Sequence, residues 1–287
     1  MPAEAARVFS RSELADDFRR LGVAAGDTVM LHASVRAVGE VAGGPDQIHL
    51  ALKDALTDAG TLIMYTGCPD HYDNVGRGHL TEADEREILA RHPAYDAQTV
   101  RSARDNGILV EFLRTYPGSR VNDHVTRFVA WGRQAEYLLS ETPWDYAFGR
   151  GSPMERFREV DGRILLLGCD HDTVTFLHHA EHVVDIPGRR VARFKVPVME
   201  QGQRVWRDME EFDSGSAGAH ANWPERFFAL LTDAYLARTR NEGGTVGNAT
   251  SYLFAARELF AFALPVMREI AADARAAGRL REPSGTR

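Results

Sequence analysis

The feature that most constrains the fold of this chain is a regular alternation between short apolar runs and helical patterns. Residues 28–32 (TVMLH) form a buried-strand pattern, and residues 45–59 follow with apolar side chains on one helical face. Residues 60–65 (GTLIMY) predict a second strand, and residues 163–168 (RILLLG) predict a further one. Strand, loop, helix and strand in this order indicate an α/β sheet.

Caps, turns and breakers predict the remaining elements. Ser10 begins a helix that stops at Gly22, and Ser152 caps another that has Pro153 at its first position. Further helices are predicted over residues 107–114, 133–140, 173–184, 223–239 and 251–277. The last of these is predicted to be kinked or broken at Pro265. Strands are predicted over residues 128–131, 190–198 and 205–212.

Residues 67–106 are mostly polar, and they predict a long excursion from the sheet of the kind that often forms a binding loop. No repeat or low-complexity segment interrupts the pattern. We therefore expect one domain over residues 1–278 and a disordered tail over residues 279–287.

Charge and composition exclude several classes of function. The formal net charge is −7, which disfavours nucleic-acid binding and suits a cationic small molecule. No apolar run approaches the roughly 20 residues that cross a bilayer, and no signal peptide is visible at the N-terminus. Cys68 and Cys169 cannot build a disulfide framework, and Cys68 is more plausible as buried filler than as a nucleophile. We expect a cytoplasmic protein.

The densest polar cluster follows the strand predicted at 163–168, where sites form in open α/β sheets. On a helix, His178 shares one face with Glu181 and His182, which favours a functional site over a solvated surface. These residues also fit the H-x-x-E-H pattern of inverted zinc proteases, so a zinc site is an open alternative. No clear motif for a third ligand follows.

Two further segments are candidates. Glu211 and Asp213 lie at the end of a predicted strand, where they could orient a histidine or simply form a solvated acidic loop. Residues 32–36 (HASVR) end a strand before a glycine-rich stretch, and backbone N–H groups there could bind a phosphate or an amide.

Taken together, these segments resemble the aminoglycoside 3-N-acetyltransferases from about residue 21 to residue 267. The motifs that carry the resemblance are HAS (32–34), GTLIM (60–64), YD (95–96), NGILVEFLR (106–114), PGSR (117–120), GRGSP (149–153), LLLG (165–168), DTVTFLHHAE (172–181), EFD (211–213) and GNATSYLF (247–254).

The resemblance implies a three-layer α/β/α fold with a mixed central sheet, different from the GNAT acetyltransferase fold. It implies direct transfer of the acetyl group of acetyl-CoA to the 3-amine of the 2-deoxystreptamine ring, with no acyl-enzyme and no metal. His178 matches the general base, and Glu211 and Asp213 match the carboxylates that orient it and bind the drug. Relatives often lack a histidine at the position of His182, which weakens the zinc alternative.

The resemblance also implies the two binding sites. The coenzyme residues would be His32, Ala33, Ser34, Val35, Arg36, Gly107, Ile108 and Ser152. The substrate residues would be Tyr65, Asp70, Tyr95, Asp96, Glu181, Glu211 and Asp213. The chain would act as a monomer or homodimer on a cationic aminoglycoside. A zinc-dependent hydrolase, or a non-catalytic CoA-binding relative on the same scaffold, is the alternative.

Overall fold

Strands and helices alternate through the part of the chain that the computed structural model describes, residues 7–214 and 218–281. The strands are β1 (Val8–Phe9), β2 (Thr28–Ala33), β3 (Glu40–Val41), β4 (Thr61–Tyr65), β5 (Arg120–Val121), β6 (Phe128–Gly132), β7 (Arg163–Leu167), β8 (Val191–Glu200), β9 (Gln203–Phe212), β10 (Gly244–Val246) and β11 (Ala249–Ala255). The α-helices are α1 (Arg11–Leu21), α2 (Val35–Val38), α3 (Asp46–Leu56), α4 (Glu82–Arg91), α5 (Leu109–Arg114), α6 (Ala135–Leu138), α7 (Pro153–Glu159), α8 (Leu177–Val183), α9 (Phe227–Thr239) and α10 (Ala256–Ala272). Short 3₁₀ turns cover Asp70–Tyr72, Arg104–Asn106, His171–Thr173 and Ala274–Arg281.

Seven strands form one mixed sheet in the order β10-β11-β7-β2-β4-β6-β5. The central strand β2 is parallel to both β7 and β4, whereas β11 and β6 add to the outside of these in antiparallel orientation. The carboxyl ends of β2, β4 and β7 therefore meet at one edge of the sheet, where α/β proteins place their sites.

Both faces of the sheet are covered, which explains its continuous apolar strands. Along β2, Met30 faces a core completed by helices α6 to α10, while Val29 and Leu31 face a second core. Helices α1, α3 and α5 complete that second core. This arrangement confirms the predicted three-layer α/β/α fold with a mixed sheet.

A hairpin of β8 and β9 stands apart from the central sheet and supports the polar excursion. Cys68, Tyr72 and Tyr95 of the excursion pack against Phe194 and Val196 of the hairpin in a small third core. The charged stretch 82–91, which the sequence analysis left without an assigned element, forms α4. Residues 67–106 are thus an ordered subregion whose core is completed by the hairpin.

The structure corrects three predictions about helices. Residues 251–255, predicted to be helical, belong to β11, where Leu253 and Phe254 face opposite cores; such a two-sided apolar run lacks the alternation typical of a half-buried strand. The helix predicted over 173–184 is confined to α8, after a 3₁₀ turn. Helix α10 continues through Pro265 to Ala272 rather than breaking there.

The predicted disordered tail is only partly covered by the structure. Its first three residues, 279–281, belong to the 3₁₀ segment Ala274–Arg281, and Ala276 is buried in the core beneath α10. Residues 282–287 lie outside the described part of the chain. Among the helices of residues 7–214 and 218–281, none combines the length and the apolar character that a bilayer span requires.

Candidate active site

The centre of the site is a hydrogen-bonded pair on α8, the helix that follows the carboxyl end of β7. Nδ1 of His178 lies 2.9 Å from Oε2 of Glu181, as expected for residues three apart on a helix. Glu181 is only 1% exposed, and its Oε2 also accepts a hydrogen bond of 2.5 Å from the Ser214 hydroxyl. Both contacts confine the Glu181 carboxylate to one orientation.

Electrostatics decide the protonation of this pair. Burial is the largest effect on the pKa of Glu181 and acts to raise it, but hydrogen bonds from His178 and Ser214 bring that pKa below its ordinary value. Glu181 is therefore ionised near neutral pH and can only accept hydrogen bonds. Nδ1 of His178 must carry the proton, which leaves Nε2 as the basic nitrogen.

His178 presents that nitrogen at the surface of a cleft. Its ring packs between Phe148 and Phe228 at centroid distances of 4.8 and 4.7 Å, and a quarter of the side chain is exposed. His178 belongs to the lining of this cleft together with Phe148. The carboxylate bound to Nδ1 of His178 is that of Glu181, which the three-residue helical spacing brings within reach.

His182 forms a second pair with a residue of the hairpin. Its Nδ1 lies 2.6 Å from the carbonyl oxygen of His178, and its Nε2 forms a short hydrogen bond with Oε1 of Glu211. The other carboxylate oxygen of Glu211 accepts a 2.9 Å bond from the backbone N–H of Ala147. Glu211 therefore orients His182, and the expected contact with His178 is not formed.

This second pair also accounts for the H-x-x-E-H pattern. Both ring nitrogens of His182 are occupied by protein oxygens, and Glu181 is already bound by His178 and Ser214. Across residues 7–214 and 218–281, no group of three or more histidine, cysteine or acidic side chains is arranged to hold a metal ion. The pattern is explained by pairing between α8 and the hairpin.

The cleft in front of His178 has a volume of about 550 Å³ and lies between the central sheet, the excursion and the hairpin. The charged side chains of its lining are mostly acidic, namely Asp70, Asp73, Glu211 and Asp213 beside Arg77. Tyr65 lies at its base with its ring 5.1 Å from that of Phe128, and burial raises the pKa of this phenol above its ordinary value. Tyr65 is therefore neutral and can donate a hydrogen bond.

The structure does not bring all predicted substrate residues to the cleft. The Tyr95 hydroxyl is buried and donates a 3.0 Å bond to the carbonyl oxygen of His124. The carboxylate of Asp96 accepts bonds from Gln98 and Thr99, and the first of these is the main cause of its lowered pKa. Tyr95 and Asp96 thus shape the excursion without lining the cleft.

Other lining residues escaped the sequence analysis, namely Asp73, Asn74, Arg77, His79, Asn106, Phe148 and Ser214. Most of them come from irregular segments, which have no periodicity from which to infer the direction of a side chain. Asp73 and Arg77 stand four residues apart and form an ion pair. The sequence pattern predicts no helix over these residues, so the spacing alone does not indicate this contact.

The predicted coenzyme residues lie at the same edge of the sheet. His32 and Ala33 are the last two residues of β2, and Ser34 caps α2 without a side-chain capping bond, so its hydroxyl has no role in that helix. Gly168, directly after β7, lets the segment after β2 pack closely against it, because a Cβ at Gly168 would lie 2.4 Å from the Cβ of Ala37. The φ of Gly168 is +62°, a value that also favours glycine. Burial lowers the pKa of His32 to about 4, and its Nε2 is buried without a partner among the described residues.

The remaining coenzyme candidates differ in accessibility. Ala33 and Val35 flank Ser34 and are half-buried, and Arg36 is exposed. Gly107 closes a 3₁₀ turn before α5, and Ile108 is 50% exposed beside it. Ser152 is instead fully buried, and its hydroxyl accepts a 3.2 Å bond from the N–H of Glu155 to cap α7. The structure therefore uses Ser152 as a helix cap.

A second cleft of about 360 Å³ reaches His178 from another side. It shares His178 and Ser214 with the acidic cleft, and its walls include Trp223, Phe227 and Arg226. His178 therefore stands where two openings meet.

Comparisons with known proteins agree on one family. Residues 30–268 match the family model described as aminoglycoside 3-N-acetyltransferase. Aminoglycoside N(3)-acetyltransferase III of Pseudomonas aeruginosa is 40% identical over 256 residues, which are 89% of this chain and 92% of the relative.

Solved structures are similar over almost the whole chain. The AAC-IIIb binary complex with CoASH has a TM-score of 0.85 at 37% identity and covers 92% of this chain and 97% of its own. AAC-VIa bound to sisomicin has a TM-score of 0.84 at 33% identity, with 92% and 98% covered.

Proposed function

The chain belongs to the aminoglycoside 3-N-acetyltransferase family, an acyltransferase family, and we propose that it transfers the acetyl group of acetyl-CoA directly to the 3-amine of the 2-deoxystreptamine ring. The observation that carries the proposal is the His178–Glu181 pair, which presents a basic Nε2 to an acidic cleft. Such an activity confers resistance to the drug, because acetylation removes a positive charge from it.

His178 acts as the general base in this proposal. The 3-amine is an ammonium in solution and must lose a proton before its lone pair can attack the thioester carbonyl. Nε2 of His178 takes that proton and passes it to solvent. It takes a second proton from the attacking nitrogen as the new C–N bond forms and the C–S bond breaks. His178 then returns a proton to the departing thiolate, so the enzyme ends in its starting state. Glu181 stabilises the imidazolium in between.

Direct transfer needs both substrates at His178 together. The acidic cleft and the second opening meet at this residue, so two reactants can contact it together. Residues 32–36, Gly107 and Ile108 line neither opening, so the coenzyme must extend from them to His178. Cys68, the thiol in the cleft wall, is a poor acyl carrier because burial raises the pKa of its thiol well above the ordinary value. Both features favour direct transfer over an acyl-enzyme.

The two substrates are assigned to different linings. Asp70, Glu211 and Asp213 carry charges that attract the ammonium groups of an aminoglycoside. Residues 32–36, with Gly107 and Ile108, offer a free hydroxyl, backbone groups and an exposed apolar side chain to the coenzyme. Two relatives are consistent with this division, since one is a complex with CoASH and the other a complex with sisomicin.

The test is thiol release from acetyl-CoA in the presence of a panel of 2-deoxystreptamine drugs, with and without chelator. We expect drug-dependent, chelator-insensitive release, with NMR of the product locating the acetyl group on the 3-amine. His178→Ala should lower turnover by a factor of about 100 or more. His71→Ala, which removes an exposed histidine outside the cleft lining, is the matched control. No release with any drug of the panel would contradict the proposal.

A further inference from the structure

The acidic cleft contains one guanidinium, and the structure holds it in place. Nε of Arg77 donates a 2.6 Å hydrogen bond to the carbonyl oxygen of Asp73, and Nη2 donates one of 3.1 Å to the Asp73 carboxylate. The guanidinium carbon lies 4.0 Å from the ring centroid of Phe194, a cation–π distance. The Arg77 side chain is 23% exposed, so it contributes a fixed charge to the cleft wall.

The backbone that carries Arg77 is anchored on two sides. Gly76 has a φ of +89° and approaches the hairpin so closely that a Cβ would lie 3.3 Å from Cα of Phe194. Its N–H donates a 3.1 Å bond to Oε1 of Glu85 on α4, and Val75 forms an isolated bridge with Lys195. The backbone on both sides of Arg77 is therefore held in place. The Arg77 side chain could leave the cleft only by breaking its contacts with Asp73 and Phe194.

Acidic side chains outnumber cationic ones in the cleft lining around Arg77. The acidic groups of the lining are Asp70, Asp73, Glu211 and Asp213, and the other groups able to carry a positive charge are His79 and His178. Arg77 forms an ion pair with Asp73, a lining carboxylate that could otherwise bind a substrate ammonium. Burial raises the pKa of Asp73, and the charge and hydrogen bond of Arg77 oppose that effect. The Asp73 carboxylate is thus occupied by Arg77 and is not available to a substrate ammonium.

We propose that Arg77 is a specificity-determining residue, which disfavours an ammonium and accepts a hydroxyl at the substrate position lying against it. The inference rests on the proposed function, because it presumes that an aminoglycoside occupies this cleft. An ammonium next to Arg77 meets a like charge and loses its hydration, whereas a hydroxyl can accept a hydrogen bond from the guanidinium. The affinity for a substrate would therefore depend on the positions of its amines as well as on their number.

Two pairs of drugs isolate this effect. Neomycin and paromomycin differ by one amine in place of one hydroxyl, and kanamycin B and kanamycin A differ in the same way at another position. Arg77→Met keeps an apolar chain against Phe194 but removes the charge. Arg193→Met removes an exposed cation, paired with Glu210, that does not line the cleft. Isothermal titration gives the ratio of amine-drug to hydroxyl-drug affinity for each protein, independently of turnover.

We expect Arg77→Met to raise that ratio about tenfold for at least one pair, since Asp73 becomes available to the amine. Arg193→Met should leave the ratio within about twofold of the parent, because the Arg193 charge is exposed to solvent and paired with Glu210 outside the cleft lining. Adding Asp73→Asn to Arg77→Met should abolish the gain. If both drugs bind and neither ratio changes in Arg77→Met, the inference is wrong while the proposed function stands. If neither drug of either pair binds the parent, both are wrong.

Discussion

Glu181→Gln is the substitution that separates orientation of the base from binding of the drug. Nδ1 of His178 and the Ser214 hydroxyl both donate to the same oxygen, Oε2, so the amide oxygen of glutamine at that position can still accept both hydrogen bonds, with the amide nitrogen in the place of Oε1. The shape of this buried position is therefore kept, and the negative charge is lost. The activity that Glu181→Gln loses therefore measures the contribution of the negative charge. That charge faces the imidazolium that forms when His178 takes a proton.

The size of the loss follows from the geometry of the pair. Two unit charges about 4 Å apart interact by about 4 kcal/mol at an effective dielectric constant of about 20. A quarter of the His178 side chain is exposed, so solvent screens part of this interaction. We expect a loss of ~2–4 kcal/mol, and because about 1.36 kcal/mol corresponds to a factor of ten, kcat falls roughly 30- to 1,000-fold.

Steady-state kinetics of thiol release, with drug and acetyl-CoA varied separately, measure this effect. The Michaelis constant for the drug should change little, because Glu181 is buried beneath His178. Ser214→Ala is the matched control: it removes a neutral contact to the same carboxylate and should lower kcat by only about fivefold.

A double variant tests the reasoning further. If Glu181 acts only through His178, adding Glu181→Gln to His178→Ala should have no further effect on kcat. Losses that multiply would refute this account. A raised Michaelis constant for the drug with an intact kcat would show that Glu181 contacts the drug, as the sequence analysis expected.

Three further predictions concern other parts of the molecule. Ser34→Ala should raise the Michaelis constant for acetyl-CoA by roughly three- to tenfold and leave that for the drug unchanged, because one hydrogen bond is lost; the opposite pattern would reverse the assignment of the two linings. Asp70→Asn should weaken drug binding by about three- to tenfold and reduce its dependence on salt, whereas Asp58→Asn, in the exposed turn before β4, should do neither in the same titrations. Burial lowers the pKa of Lys53 to about 7 from an ordinary 10.5, so the unfolded chain binds a proton there that the folded chain releases. The stability of the parent should therefore gain about 1–2 kcal/mol over that of Lys53→Met from about pH 7 to about pH 9, and parallel pH curves in chemical denaturation would contradict this.

Local patterns were sufficient for the framework of the fold. Strands β2, β4 and β7 are apolar runs bounded by turn residues, and α1 begins at Ser10 with a capping box, which requires only neighbouring residues. The pairing of His178 with Glu181 was equally local, because a helix places residues three apart side by side whatever surrounds it. The resemblance implies substrate binding for Glu181, and the local pattern does not by itself give the role of its contact with His178.

Long-range packing decided the rest. Residues 251–255 have apolar side chains that suit a helix or a strand, and only the free edge of β7 makes them a strand. The residues that bind across elements are far apart in the chain: Glu211 reaches His182 because the hairpin folds over α8, and Phe194 reaches Arg77 because the same hairpin supports the excursion. The sequence alone determined the strands β2, β4 and β7, the helix α1 and the polar cluster at the carboxyl end of β7. Which carboxylate binds His182 and where a cation enters the acidic cleft depended on how the hairpin and the excursion pack together, since no periodicity links residues so distant.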